Sequence, residues 1–283
     1  MLCHEACAEF KMQAYNHKTG NGFLRHVLVR RGFVSGQIMV VIVTVGGTFP
    51  KQRSFVNALT KKHPEITTLV RNINTGNLRL FLGKENEVLF GDGYIEEELC
   101  AMRFRISPQS FYQVNPVQTQ VLYEKAAEFA QLSGRETLLD CYCGTGTIGL
   151  ILSRRAKHVI GAELNPEAVK DAQANAKLNG VSNAEFRCCD AGKFMADCAC
   201  EGKTVDVVVT DPTRIGCSIE FLQNLVKLSP KRVVYVSCNP ETLARDLRFL
   251  CKNGYSAEKI QPVDMFPFTS HVECVVLMSR KEG

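Results

Sequence analysis

The chain has 283 residues, of which 45% are hydrophobic and 22% charged, with a formal net charge of +5. This length allows two domains of ordinary size, each with a real hydrophobic core. No run approaches the ~18 apolar residues of a membrane-spanning helix, and the start lacks a basic-then-apolar signal pattern. Both observations argue against a membrane or exported protein, so we expect a soluble, cytoplasmic one.

The sequence pattern of residues 10–105 is typical of a mixed α+β region. Strands are predicted at Gln37–Thr44, Thr67–Asn74 and Glu87–Phe90, and a helix at Pro50–Lys62. We therefore predict a smaller α+β domain over residues 1–105. No element is predicted before Phe10, which is compatible with a piece of a longer chain.

The first part of the chain carries the whole charge surplus. Residues 1–110 contain 14 Lys/Arg and 9 Asp/Glu, whereas residues 111–283 contain 20 of each. A modest basic excess is compatible with binding the phosphates of a nucleic acid, although many solvated surfaces are equally basic. The basic residues include Arg25, Arg30, Arg31, Lys51, Arg53, Lys61, Lys62 and Arg71.

From about residue 116 the pattern alternates regularly between strand and helix, which predicts a doubly wound parallel sheet with helices on both faces. We place this second domain at residues 106–283. Helices are predicted at Pro116–Gln131, Pro166–Asn179 and Pro240–Asn253. The predicted strands are Thr137–Cys143, His158–Glu163, Ala184–Asp190, Val205–Asp211, Arg232–Cys238, Glu258–Asp264 and Cys274–Arg280.

A glycine-rich turn follows the first strand of this domain. In Leu138–Gly149, Gly144 and Gly146 let the backbone approach a ligand, and Gly149 allows tight helix–strand packing. Such a turn alone is weak evidence for a nucleotide-type cofactor.

Acidic residues at the ends of the following strands strengthen that interpretation. Glu163 lies about 20 residues after the glycines, where a carboxylate can bind a ribose diol. Asp190 and Asp211 close the next two strands, so all three face one crevice. Any one of them could instead be a helix cap or a surface residue. Together they predict a cofactor that contains adenosine.

One cysteine stands at a strand-to-helix corner. An apolar run delivers Cys238 to the end of a buried strand, Asn239 suits the helix N-cap, Pro240 the first helical position and Glu241 the positive end of the dipole. Nearby backbone N–H groups favour the thiolate, so the pattern indicates a nucleophile. The position of Cys238 alone is equally compatible with an alternative, in which the cysteine is a small apolar residue of the core.

Five motifs, which occur in family order, resemble those of the S-adenosylmethionine-dependent RNA (uracil-5-)-methyltransferases, and the resemblance covers about residues 10–283. They are Ser107–Asn115, Asp140–Gly149, Asp211–Gly216, Ser237–Thr242 and His271–Glu273. The resemblance implies a Rossmann-like class I methyltransferase sheet of seven strands, the last antiparallel, and an RNA-binding role for residues 1–105. It also implies S-adenosylmethionine as cofactor and RNA as partner, with no obligate protein partner evident.

The resemblance assigns roles to individual residues. It implies that Cys238 is the nucleophile, that Glu273 is the base and that Phe111 stacks on the target uracil. Arg214 could stabilise charge on a uracil oxygen, and His271 has a structural role. The positions expected to contact the cofactor are Gln113, Tyr142, Gly144, Thr147, Glu163, Asp190 and Asp211.

The chain departs from the family in two places. Thr213 stands where a second proline is usual, which we expect to loosen that loop. The N-terminal RNA-binding barrel and iron–sulfur cysteine cluster of many ribosomal members have no counterpart in this sequence.

The 13 cysteines are expected to be reduced, because the count is odd and no export signal is present. Several lie in strand-like apolar runs and are expected in the core: Cys141, Cys143, Cys188, Cys189 and Cys274. The pairs Cys3/Cys7 and Cys198/Cys200 lack the partner spacing of a zinc site, so no metal is predicted.

The favoured function is formation of 5-methyluridine in RNA through a covalent cysteine–uracil adduct. The sequences of Gln261–Pro267 and His271–Val276 resemble those of the ribosomal members more than those of the tRNA members, which favours 23S ribosomal RNA over the T-loop of tRNA as substrate. A catalytically silent RNA-binding module is an alternative, but it predicts loss of Cys238 or Glu273. A nicotinamide-dependent oxidoreductase would leave both residues unexplained.

Overall fold

The computed structural model describes residues 8–76 and 80–281, so the Cys3/Cys7 pair lies outside the described residues. The chain divides into two compact units. The first contains the residues up to Glu98 together with Arg105–Gln109, and the second contains Leu99–Phe104 and the chain from Ser110 onward. Across the described ranges, no helix combines the length and the apolar character that a bilayer crossing requires.

The first unit is built on a four-stranded sheet in the order β1–β2–β3–β4. The strands β2 and β3 pair in parallel, and the two outer pairs are antiparallel. Helix α1 makes the crossover that a parallel pair requires. Its elements are β1 (Leu24–Arg31), β2 (Ile38–Thr44), α1 (Gln52–Lys62), β3 (Ile66–Ile73) and β4 (Glu85–Phe90).

Strand β1 was not predicted, because it lies at the sheet edge and its side chains are mostly half-buried, without a clear alternation. The core beneath the sheet contains Phe55 and Leu59 from α1 packed with Ile42 and Leu69. These residues follow the helical and strand periods that the sequence displays.

Arg71 does not contribute to a basic surface, contrary to its place in the charge count. It is only 5% exposed. Its guanidinium donates to the Thr44 hydroxyl, the Glu87 carboxylate and the Gly47 carbonyl. The exposed cations of this unit include Arg31, Lys51, Arg53, Lys61 and Lys62.

A two-stranded hairpin, β5 (Ile95–Leu99) and β6 (Met102–Ile106), was also not predicted. Its two-residue turn consists of Cys100 and Ala101, both with left-handed φ, at 52° and 57°. Turns with this conformation usually carry Asn-Gly or Asp-Gly, so the sequence lacked the expected hairpin signal.

The second unit confirms the predicted sheet. Its order is β12–β13–β11–β10–β7–β8–β9, and β13 runs antiparallel to both of its neighbours. The strands are β7 (Thr137–Cys141), β8 (His158–Glu163), β9 (Ala184–Cys188), β10 (Val207–Thr210), β11 (Arg232–Ser237), β12 (Tyr255–Val263) and β13 (Glu273–Arg280). The helices are α2 (Pro116–Ala130), α3 (Thr147–Ser153), α4 (Pro166–Leu178), α5 (Ala191–Cys200), α6 (Ile219–Leu228) and α7 (Pro240–Lys252).

Helices cover both faces of this sheet, and neighbouring apolar side chains of its central strands belong to two different hydrophobic cores. Leu138 and Val234 belong to the core on one face, and their neighbours Leu139 and Val233 to the core on the other. Strands buried on both faces are the mark of parallel sheets.

The cysteines of the described region are free thiols, and their burial differs from the prediction in one place. Cys141, Cys143 and Cys274 are buried, as predicted. Cys188 is exposed and Cys189 half-buried, because β9 is the edge strand, Cys188 is its last residue and Cys189 follows it.

Candidate functional site

The strand register brings the functional loops to one edge of the seven-stranded sheet. Cys141 of β7 pairs with Ala162 of β8 and with Thr210 of β10. The next residues along the chain, Tyr142, Glu163 and Asp211, therefore leave the sheet at the same level. The carboxyl ends of parallel strands form the crevice where open α/β sheets bind ligands.

The glycine-rich turn has an unusual backbone. Tyr142, Gly144 and Gly146 all have left-handed φ values, of 60°, 53° and 78°. A Cβ on Gly146 would also lie 2.8 Å from the Phe186 ring, so only glycine fits there. A Cβ on Gly144 would meet no atom of the described residues within 4 Å, so its backbone faces open space.

Asp140 is the important residue that the sequence analysis did not select. It is 1% exposed, and its Oδ2 accepts the Gly149 N–H at 2.8 Å. Its Oδ1 is buried with no hydrogen-bond partner among the described residues. Burial, assisted by Glu163, raises the pKa of Asp140 to about 7. The available signal was an acid inside an otherwise apolar strand.

A pocket opens between this turn and the segment that precedes α2. It receives six of the predicted site residues: Phe111, Gln113, Tyr142, Gly144, Thr147 and Asp211. Asp140 also lines it, together with Leu99, Tyr112, Thr119, Tyr123, Cys143, Thr145 and Ile148. A lining that combines apolar side chains with convergent polar groups is typical of a small-molecule site.

Glu163 and Asp190 lie beside the pocket and make local contacts. One Glu163 carboxylate oxygen accepts the Gly144 N–H at 3.1 Å, and the other accepts the Asn165 N–H at 2.8 Å. Asp190 is the N-cap of α5, and its Oδ1 accepts the Lys193 N–H at 2.8 Å. The alternative of a helix cap is therefore correct for Asp190, which retains a second carboxylate oxygen for a ligand.

The register also brings Cys238 and Glu273 together. Ser237 of β11 pairs with Cys274 of the antiparallel β13. Cys238 is the residue after Ser237, and Glu273 is the residue before Cys274. In an antiparallel pair these two residues are the next to lie opposite each other, at the end of β11. Glu273 is the first residue of β13 rather than part of a segment before it, and it is 3% exposed.

The pKa of the Cys238 thiol is raised, so the predicted stabilisation of the thiolate does not hold in this structure. Burial is the largest cause, and the carboxylates of Glu273 and Asp211 add to it. Its own backbone N–H and the Arg214 guanidinium act in the opposite direction with smaller effect. Burial and two neighbouring carboxylates thus outweigh the helix N-terminus that the sequence pattern emphasised.

The acids around Cys238 are perturbed as well. Burial raises the pKa of Glu273. Burial, with Glu273 and Asp140 nearby, raises the pKa of Asp211 to about 8. Asp211 therefore links the pocket to the cysteine, because it interacts with charges on both sides.

The two predicted substrate residues are both exposed. Phe111 is 75% exposed at the pocket wall. A guanidinium nitrogen of Arg214 lies 3.1 Å from Nδ1 of His271, which supports a structural role for that histidine. The Arg214 carbonyl accepts hydrogen bonds from Asn239 Nδ2 and the Thr242 hydroxyl, so the corner around Cys238 holds this loop.

The buried carboxylate of Asp246 also holds the loop that follows Asp211. Asp246 of α7 is fully buried, and its Oδ2 accepts the Cys217 N–H at 2.8 Å and the Tyr235 hydroxyl at 2.7 Å. Its Oδ1 accepts from Arg245, whose guanidinium also donates to the carbonyls of Ile215 and Cys217. These bonds fix the loop that contains Thr213, although Thr213 replaces the usual proline.

Comparison with known proteins identifies the family to which the chain is similar. A family model described as tRNA (Uracil-5-)-methyltransferase matches residues 59–281. An uncharacterized RNA methyltransferase of Bacillus cereus is 46% identical over 276 residues, which cover 98% of this chain and 60% of the relative. An uncharacterized RNA methyltransferase of Oceanobacillus iheyensis is 45% identical over 273 residues, covering 96% of this chain and 60% of the relative.

A solved structure is similar throughout. The crystal structure of the Pyrococcus abyssi tRNA (uracil-54, C5)-methyltransferase in complex with S-adenosyl-L-homocysteine has a TM-score of 0.81 and 31% identity. The similarity covers 98% of this chain and 65% of that one. The present chain thus spans about 60% of the length of the curated relatives it matches.

Proposed function

The chain belongs to the tRNA (uracil-5-)-methyltransferase family, and from this premise we propose that its second unit methylates carbon 5 of a uridine in RNA. The observation that carries the proposal is the register of β11 and β13, which sets Cys238 opposite Glu273. The pocket of Asp140, Tyr142 and Gly144 lies on the same edge of the sheet.

The residues of the pocket fit S-adenosylmethionine. The buried Oδ1 of Asp140 needs a donor, which an amino acid ammonium group supplies. The backbone of Gly144 faces open space, and Glu163 and Asp190 retain acceptor capacity for hydroxyl and amino groups. Gln113, Tyr142, Thr147 and Asp211 complete the proposed contacts. When bound, S-adenosylmethionine supplies the electrophilic methyl group that carbon 5 accepts.

Cys238 makes carbon 5 reactive. Its thiolate adds to carbon 6 of the uracil, forming a carbon–sulfur bond and moving the electron pair of the 5,6 double bond onto an enolate. Arg214, which lies within electrostatic reach of the thiol, would stabilise the charge on the uracil oxygen. Because the pKa of this thiol is raised, loss of its proton is part of the cost of reaction.

Glu273 completes the reaction. Its carboxylate removes the proton from carbon 5, the double bond re-forms, and the carbon–sulfur bond breaks to release Cys238. The raised pKa of Glu273 makes it a stronger base than an ordinary carboxylate. Its 3% exposure shields the proton transfer from water.

The proposed substrate is an RNA with the target base turned out of its stack. Phe111 is exposed at the pocket wall, where its ring can stack on the uracil. The exposed cations of the first unit would contact phosphates. The wording of the C-terminal motifs favours 23S ribosomal RNA. A T-loop of tRNA is the second candidate, because the similar Pyrococcus abyssi enzyme is a tRNA (uracil-54, C5)-methyltransferase.

The test uses hairpins of 23S ribosomal RNA and of a tRNA T-arm, each with 5-fluorouridine at the target position. Fluorine cannot leave as a proton, so a methylating enzyme stalls as a covalent complex that survives a denaturing gel. We expect one hairpin to give a shifted band with S-adenosylmethionine, and Cys238→Ala to remove it. The hairpin that reacts identifies the RNA class.

Two further variants complete the test. Glu273→Gln should trap an adduct even on ordinary uridine, because the carbon 5 proton stays in place. Glu220→Gln, at an exposed position of α6, is its matched control and should turn over normally. Specific binding of either RNA without any adduct would favour the silent RNA-binding module and contradict the proposal.

A further inference from the structure

Phe268 combines two unfavourable features in the free protein. Its side chain is fully exposed, with a relative accessibility of 108%. Its φ is 65°, a left-handed conformation that a bulky residue rarely adopts. Both features cost stability, and both persist where the surrounding structure enforces them for another purpose. An exposed ring that is held on a strained backbone is therefore a candidate for contact with a bound partner.

The turn that carries Phe268 is well fastened. The Thr269 N–H and hydroxyl both donate to the Phe266 carbonyl, at 3.2 and 2.7 Å. Pro267 and Phe268 occupy the central positions of this turn, in the pattern of a type II turn, whose second central residue is normally glycine. The ring is therefore presented from a defined turn rather than from a mobile loop.

Both ends of the turn are anchored to the candidate site. Met265 is buried, and its carbonyl accepts a hydrogen bond from Asn115 Nδ2 at 3.0 Å. On the other side, the His271 ring contacts Arg214 at 3.1 Å, and Glu273 follows two residues later. The turn and the proposed base thus belong to one short, tethered segment.

We propose that Phe268 enters the base stack of the RNA and fills the gap left by the flipped uridine. The inference rests on the proposed function, since only a base-flipping reaction creates such a gap. Apolar side chains that insert between bases compensate for lost stacking. Phe111 lines the pocket and is assigned to the target base, so the stack itself needs a second ring.

The test measures whether the Phe268 ring fills the gap in the base stack, and it requires no methyl transfer. The RNA probes are the two hairpins with an abasic site at the target position and 2-aminopurine as its 3′ neighbour. A ring stacked on 2-aminopurine quenches its fluorescence. Phe268→Gly removes the ring and suits the left-handed backbone, whereas Phe268→Trp retains a stacking surface. Ile260→Ala, at a 61% exposed apolar position on β12, is the matched control.

We expect the wild-type protein, Phe268→Trp and Ile260→Ala to quench the fluorescence. Phe268→Gly should not quench it, and should bind the abasic hairpin about 10- to 100-fold more weakly, the range expected for one lost stacking contact. Its melting temperature should equal or exceed that of the wild type, because glycine relieves the left-handed strain.

Equal quenching and affinity for the wild type and Phe268→Gly on both hairpins would overturn the inference. So would loss of affinity with unchanged quenching, which would assign the ring to another contact. The 5-fluorouridine hairpins are run in parallel: no adduct with any RNA refutes the proposed function, while the abasic probes still report on Phe268.

Discussion

The functional edge of the second unit has two halves of different character. The half that we propose to bind the cofactor, called the cofactor half, consists of Asp140, the Tyr142–Gly146 turn and Glu163. Its polar groups are mostly bonded to the main chain, and Asp140 is almost fully buried. The half that we propose to receive the target base, called the base half, consists of Cys238, Glu273 and the segments around Arg214 and Phe268. Here Arg214 and Phe268 are exposed, and Cys238 is half-buried.

The difference follows from the size of the two proposed ligands. A small cofactor can be enclosed, so its half is set by backbone geometry before binding, which limits the entropy lost on association. A base attached to RNA must enter from solvent, so its half stays open and exposes groups that RNA would cover. Asp211 connects the halves through its interactions with Asp140 and Glu273.

Cys238→Ala should separate the halves most strongly. Turnover should fall by more than about 10³-fold, because the activating nucleophile is lost. S-adenosylhomocysteine should bind within about twofold of the wild type, since the cofactor half is untouched. Methyl transfer to RNA and calorimetric titration measure the two effects. Normal turnover by this variant would refute the covalent mechanism.

Asp140→Asn should damage the other half. The amide can still accept the Gly149 N–H, but it cannot pair with an ammonium group, so affinity for S-adenosylhomocysteine should fall about 10- to 100-fold. The alkylation rate of Cys238 should stay unchanged. Asp206→Asn is the matched control, because Asp206 also accepts a strand N–H, from Thr137, at the opposite edge. Equal binding by both variants would remove Asp140 from the cofactor site.

Asp246→Ala should loosen the base half, because Asp246 holds the loop that contains Arg214. It leaves the buried Cys217 N–H and the Tyr235 hydroxyl without their acceptor, which should lower the free energy of unfolding by about 2–4 kcal/mol. Tyr235→Phe keeps the carboxylate and should cost only about 1 kcal/mol. Chemical denaturation checks both values. Comparable losses in the two variants would show that the carboxylate does not organise the loop.

The smallest expected effect concerns acidity. The pKa of Cys238 is raised partly by Asp211, so alkylation of this thiol should increase with pH through and above neutrality. Asp211→Asn removes an anion that disfavours the thiolate, so the pKa should fall and the alkylation profile should move to lower pH. Iodoacetamide labelling, followed by mass spectrometry of the Cys238 peptide, measures it. A profile that does not move would show that Asp211 has no electrostatic influence on the thiol.

Local sequence patterns were enough to predict the alternating sheet, the glycine-rich turn and the corner Asn239–Glu241 after Cys238. All three depend on local rules: runs of apolar residues, positions that need left-handed φ, and capping preferences, each of which spans a few residues. Asn239 does cap α7, with Pro240 at its first position. The family motifs extended this local information to site residues.

The other properties of the site come from the three-dimensional fold. It placed Glu273 opposite Cys238, brought Asp211 close enough to raise the thiol pKa, and left Asp140 with an unpaired oxygen among the described residues. It also held Phe268 exposed on a strained turn. These properties depend on burial and on charges from strands distant in sequence. No local pattern carries them, because electrostatic and packing energies depend on distances that only the fold establishes.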